Sequence, residues 1–209
     1  MAQQVIILGA GGHGRVCAEV AVRCGFAIVG FCDPARSLDQ VVNDIPVIAT
    51  DDEALLRAWP DGTQLFVAVG ENARRVACGE FARRQGIALA ILVDPSAIVS
   101  ETAAIGAGSV VMANVVINAN ANIGAHCILN TACTIDHDGD LADGVQIGPG
   151  VRAAGDVTVG KQAMVGVGAS LIPGVHVGHN STIGAGAVVT TDVPDGVTVV
   201  GIPARPITR

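Results

Sequence analysis

From Val99 the chain can be cut without a gap into sixteen hexads, from VSETAA and IGAGSV through to VTTDVP at 189–194. The first residue of each is Val, Ile or Leu, with Ala153 the one exception, and the fifth is always small or Val. A period of six fits neither the 3.6-residue turn of a helix nor the simple alternation of a strand. It predicts stacked coils of three short strands each, about five coils in all, whose strands end in corners. First-position aliphatics then stack along the edges, and fifth-position small residues fill the space beneath. Gly and Asn near the corners supply backbone conformations that a branched residue adopts only at a cost.

Half the residues are hydrophobic but only 2% are aromatic, and all five rings lie at or before Phe81. The coil half must therefore build its core from aliphatic and small side chains alone, unlike ring-rich sandwiches and bundles. The contrast predicts two domains, 1–94 and 95–209, joined at Asp94-Pro95. A net charge of −7 and a single lysine, Lys161, leave no basic stripe for nucleic acid or for an acidic membrane surface. Polar residues and glycines interrupt every apolar run before the roughly 20 residues of a spanning helix. The opening MAQQVIILGAGGHG lacks a basic segment and turns polar too soon for a signal peptide. Six cysteines without CxxC spacing read as small buried thiols, and the expected compartment is the cytoplasm.

The first half alternates strands and helices. Residues 5–8 read as a buried strand, followed by Gly9-Ala10-Gly11-Gly12-His13-Gly14 and an amphipathic helix from Arg15 to Cys24. Strands are expected at 27–31, 64–69 and 87–92, a helix from about Asn72 to Gln85, and a Thr50/Glu53 capping box before a short helix to Trp59. The G-x-G-x-x-G turn, with Asp33 nineteen residues past its last glycine, fits a nucleotide-binding βα unit. Its glycines let a phosphate approach N–H groups at a helix start, and Asp33 offers an acceptor to a ribose or base. Only about 90 residues precede the coils, short for an NAD domain. His13 inside the turn crowds a pyrophosphate but suits donation to a sugar-nucleotide phosphate.

Among the coil histidines, His137 lies in Asp136-His137-Asp138, where Asp138 can hold one imidazole nitrogen and raise the basicity of the other. His126, His176 and His179 lack an adjacent acid and read as surface or corner residues. Zinc held by three histidines would need spacings near multiples of 18, and these are 11, 39 and 3. Calcium is disfavoured because Leu141 stands where an EF-hand loop after DHDGD needs Gly. No metal is expected.

GAGGHG, the NT-x4-DHD segment (Asn130, Thr131, Asp136 to Asp138), hexads such as IGAGAVV and a closing Gly201-Ile202-Pro203-Ala204-Arg205 together carry a resemblance. Residues 99–194 resemble the hexapeptide-repeat left-handed parallel β-helix superfamily. The whole chain resembles the bacterial nucleotide-aminosugar N-acetyltransferases, with the bacillosamine-pathway and perosamine enzymes and sialic-acid O-acetyltransferase relatives. The resemblance implies a Rossmann-like α/β domain that binds a nucleotide-linked aminosugar, followed by an all-β left-handed β-helix. It also implies a homotrimer, acetyl-CoA in the cleft between adjacent β-helices, and a place in polysaccharide or glycoprotein-sugar biosynthesis.

By that resemblance His137 is the base, Asp138 orients it, and Gly155 offers an N–H to the acyl oxygen. Gly11, Gly12, His13, Asp33 and Gly70 match nucleotide-sugar contacts, Asn130 and Asp136 lie where the sugar's amine is read, and Gln146, Val167, Ala185 and Arg205 match the acetyl-CoA side. Gln146 replaces a His common in relatives, and Pro34 replaces a second acid after Asp33. The implied reaction is direct acetyl transfer to an amine, at C4, of a UDP- or GDP-linked amino-dideoxy sugar. Sugar O-acetylation of the sialic-acid type and a non-catalytic sugar-nucleotide scaffold are the alternatives.

Overall fold

In the computed structural model, which describes residues 2–49 and 59–207, the hexads form parallel coils with a repeat of eighteen residues. The strand Ile98–Val99 pairs with Val116–Ile117, and that with Thr134–Ile135, Arg152–Ala153, Ser170–Leu171 and Val188–Val189 in turn. A second face stacks Ala104–Ile105, Asn122–Ile123, Asp140–Leu141, Thr158–Val159 and His176–Val177. The third carries Val110–Val111, Ile128–Leu129, Gln146–Ile147, Met164–Val165, Thr182–Ile183 and Thr198–Val200. Three edges therefore run along the stack. The first–second edge holds residues 136–139 and 154–157, and the third–first edge holds 130–133, 148–151, 166–169 and 184–187.

Every first-position residue from Val111 to Val189 is no more than 3% exposed, and Ala153 keeps its place among them. The fifth-position Val115, Cys127, Cys133, Val145 and Ala163 are also buried. From Gly108 to Gly186 the corner is made by the fourth residue of each hexad, which takes a left-handed conformation. Asn114, Asn120, Asp138, Asp156 and Asn180 do so, as do Gly108, Gly144, Gly168 and Gly186. Short polar side chains and glycine tolerate that conformation best.

Residues Met1–Asp94 form a separate compact unit. Its central strand β1 (Gln4–Leu8) lies between β2 (Ala27–Cys32) and β5 (Gln64–Val67), all parallel. Strand β4 (Ile45–Ala49) extends the sheet beyond β2 and is joined to the short β3 (Val41–Val42) by a hairpin. Helices α1 (Gly12–Arg23) and α2 (Asn72–Arg84) follow β1 and β5. Phe31 and Phe66 are fully buried here, alongside Ile6, Leu8 and Leu65, so rings do supply core in this unit.

Several sequence expectations change. Helix α1 starts at Gly12, three residues early, because Gly12, His13 and Gly14 form its first turn after an extended Gly11. Residues 87–92 form no continuous strand. Leu65 exchanges hydrogen bonds with Ala88 and Ala90, and only Leu92–Val93 is extended beyond that bridge. Residues 34–49 carry no expected element, yet they hold the β3–β4 hairpin, turned by Asn43 and Asp44 with φ of 48° and 63°. The Thr50/Glu53 box lies outside the described residues. Among the described residues, no helix is long and apolar enough to cross a membrane.

Candidate active site

The corner at 136–139 sets His137 and Asp138 side by side, and Nδ1 of His137 lies 2.8 Å from Oδ2 of Asp138. That bond raises the pKa of the imidazole above its ordinary value, helped by the charges of Asp136, Asp138 and Asp156. The neutral ring then carries its proton on Nδ1, leaving Nε2 as the free base. Asp136 accepts the backbone N–H of His137 and the amide of Asn118, each at 2.8 Å, and its carboxyl is held below the usual range, chiefly by Asn118.

Eighteen residues on, Gly155 lies directly beneath the imidazole. A methyl added there would meet Cε1 and Nε2 of His137 at 2.5 Å. Third-position N–H groups such as Gly155's take no part in the backbone ladder. Those of Ala125, His137, Lys161 and His179 donate to side chains of Asp143, Asp136, His179 and Asp195. Among the described residues, those of Gly155, Val167 and Ala185 meet no acceptor. The free base and a free donor thus lie together at one edge. Val167 and Ala185, one coil apart, offer two more donors on the third–first edge.

Asn130 also lies on the third–first edge, where its side-chain oxygen accepts the N–H of Thr131. It therefore does not share a corner with Asp136 and His137. Gln146 is in the third face, and Arg205 is in a short antiparallel strand beside Val200, its guanidinium exposed except for a bond to the Ala204 carbonyl. His176 and His179 are exposed, as expected, and pair with Thr158 and the Lys161 N–H one coil below. His126 differs. It sits at a corner with φ of 58° but is only 1% exposed.

His137, Asp138 and Asp156 bring ligand atoms within 4.8 Å of one another. A spacing test applied to histidines alone does not detect this group. Within this group the Nδ1–Asp138 bond already joins the central pair.

In the N-terminal unit the four glycines of the turn divide into two kinds. A side chain at Gly9 would strike the Ala68 carbonyl at 2.7 Å, and one at Gly14 would overlap the Gly9 carbonyl. Gly11 faces open space, and beside Gly12 the nearest atom is an Arg15 nitrogen at 3.9 Å. The first two close the turn, and the second two leave room for a ligand. We expect Gly14→Ala to lower the melting temperature of this unit, and Gly11→Ala to leave it unchanged while weakening nucleotide binding. Thermal unfolding followed by titration calorimetry distinguishes them.

Asp33 ties the ends of β1 and β2 together by accepting the N–H groups of Ala10 at 2.7 Å and Ala35 at 2.9 Å. Each carboxylate oxygen keeps acceptor capacity for a ligand. Burial, reinforced by the charge of Arg75, lowers the pKa of His13 to about 4, so it is neutral at physiological pH. Its Nε2 lies 3.5 Å from Cys17 Sγ, a thiol whose pKa burial pushes far up. His13 can therefore donate a hydrogen bond to a phosphate but brings no charge. Arg75, which sequence reasoning misses, is fully buried and donates to the carbonyls of Val69 and Gly70 and to Asn72 Oδ1. It fixes the turn that presents Gly70.

Residues 4–80 match the family described as PglD N-terminal domain, and 156–191 match the hexapeptide repeat of succinyl-transferase. The acetyltransferase domain of PglB from Neisseria gonorrhoeae, solved with acetyl coenzyme A, is 40% identical. It superposes with a TM-score of 0.93 over 99% of this chain and 100% of that one. The chain belongs to the hexapeptide-repeat acyltransferases that carry a PglD N-terminal domain. PerB from Caulobacter crescentus, solved with CoA and GDP-perosamine, is 41% identical at a TM-score of 0.91, covering 98% of this chain and 97% of that one. Matches to curated relatives span only between 21% and 36% of those proteins. Serine acetyltransferase of Bacillus subtilis matches at 38% identity over 37% of this chain and 36% of that protein.

Within this hexapeptide-repeat acyltransferase, the residues that sequence reasoning misses lie mostly one coil from those it finds. Asp156 follows Asp138 by eighteen positions, and Asn118, Asn120 and Asn122 precede Asp136, Asp138 and Asp140 by eighteen. Each asparagine amide donates to its aspartate, at 2.8, 3.2 and 2.8 Å. The stacking rule that explains the core would have found them had it been applied to polar residues.

Proposed function

We propose that this chain transfers acetyl from acetyl-CoA to the amine, at C4, of a nucleotide-linked amino-dideoxy sugar. One observation carries the reading: the free Nε2 of His137 lies over Gly155, whose N–H has no other acceptor among the described residues. The amine nitrogen attacks the thioester carbon and its proton passes to Nε2. The carbonyl oxygen, now negative, accepts the Gly155 N–H. Collapse expels the CoA thiolate, which takes the proton back from the imidazolium. Asp138 stabilises that imidazolium while it exists.

The solved relatives support the substrate class, since one holds acetyl coenzyme A and the other CoA with GDP-perosamine. In this reading Gly11, Gly12, His13, Asp33 and Gly70 bind the nucleotide, and Asn130 and Asp136 read the sugar near its amine. Gln146, Val167, Ala185 and Arg205 line the acetyl-CoA side, with adenine held by backbone and aliphatic groups because the coils have no aromatic ring. The base and the CoA residues fall on different edges of one chain, which supports a homotrimer in which a neighbour completes each site. Free thiols at all six cysteines fit a reducing cytoplasm.

The test is thiol release on incubation with acetyl-CoA and a panel of UDP- and GDP-linked sugars. Release is expected with a 4-amino sugar and not with its 4-hydroxy counterpart. Release with the hydroxyl sugar alone would make the chain an O-acetyltransferase. Absence of release with every acceptor would leave a binding scaffold.

A further inference from the structure

The asparagine ladder at 118–122 is the strongest feature that the proposed reaction does not use. Its three rungs are chemically alike, but they do not lead to the same place. The carboxylate that accepts the Asn120 amide also accepts Nδ1–H of His137 at its other oxygen. Asn120 is itself fixed from below: its backbone is left-handed with φ of 59°, and its N–H donates to Thr102 Oγ1 at 2.9 Å, which lies 3.0 Å from Ser100 Oγ. Ser100, Thr102, Asn120, Asp138 and His137 thus form one polar column rising through successive coils to the base.

We propose that Asn120 is a positioning residue that selects the reactive tautomer of His137. The inference rests on the proposed role of His137 as base. A carboxylate held at one oxygen turns about its Cβ–Cγ bond. Asp138 is held at both, with Oδ1 on the Asn120 amide and Oδ2 on His137 Nδ1. Fixing the carboxylate plane keeps Oδ2 aimed at Nδ1 and keeps the proton there. Released from that bond, an exposed neutral imidazole redistributes towards the Nε2–H form, which cannot accept the substrate's proton. The charged groups facing His137 are Asp136, Asp138 and Asp156, all of which remain in the variants below.

Two variants preserve the left-handed corner. Asn120→Gly removes the side chain, and Asn120→Asp keeps its shape but replaces the donor with an acceptor. Each is expected to lower kcat about ten- to a hundredfold with little change in KM. The 15N spectrum of His137 is expected to shift from the Nδ1–H towards the Nε2–H tautomer in both. In Asn120→Asp the added negative charge also moves the acid limb of the rate profile to higher pH. Wild-type kcat in both variants, or a loss of kcat with an unchanged tautomer, would overturn the inference. His137→Ala measured alongside separates the two levels: if that variant keeps full activity, it is the reading of the base that fails.

Discussion

His137→Ala is expected to lower kcat/KM by about 10²- to 10⁴-fold, the usual contribution of a positioned base. The ring is exposed, with 56% of its side-chain surface accessible, so its loss should leave the fold intact. The pH profile carries the same assignment. Only the neutral imidazole accepts a proton, and its bond to Asp138 raises the pKa above the ordinary 6.5. The rate should therefore climb with pH through that raised value and be lost below it. Asp138→Asn removes the charge and offers an amide in its place, so the acid limb should move down while the maximal rate falls. A flat profile in wild type, or full activity in His137→Ala, would remove His137 from the reaction.

Gly155→Ala is expected to cost almost as much, about 10²-fold in kcat, although it deletes no functional group. Its φ is not in the left-handed region, so alanine brings no backbone strain, and the N–H remains. The new methyl would lie 2.5 Å from Nε2 and Cε1 of His137, and the ring must swing away from the acyl carbon. A double-mutant cycle checks the mechanism. If the methyl acts by displacing the ring, it costs nothing further in a His137→Ala background. An equal loss in both backgrounds would show that it disturbs the acetyl donor instead.

The fold was legible because a six-residue period constrains side chains one by one: an aliphatic at each first position and a small residue at each fifth admit no helix and no flat sheet. The His137–Asp138 pair was legible because the two are neighbours in the chain. Other parts of the site are one coil away, and a pairing at eighteen residues leaves no local mark. Asn120, Asp156 and the steric role of Gly155 belong to this class. Arg75 leaves less still, since its partners include backbone carbonyls that any sequence would offer. The β3–β4 hairpin was hidden because Asn43-Asp44 turns it without a glycine. His126 lies at a corner as expected but is buried there, which a corner position alone does not reveal.

The eighteen-residue register also sets which changes of length the chain can survive. One extra hexad between His137 and Gly155 would satisfy the core pattern and let the stack close. It would also carry Gly155 a third of the way round the prism, so that another corner lay under the imidazole. A whole extra coil would restore the edge but put a stranger between donor and base. Coils added beyond Gly155 would leave this pair untouched, whereas between His137 and Gly155 only the present length keeps the glycine under the imidazole.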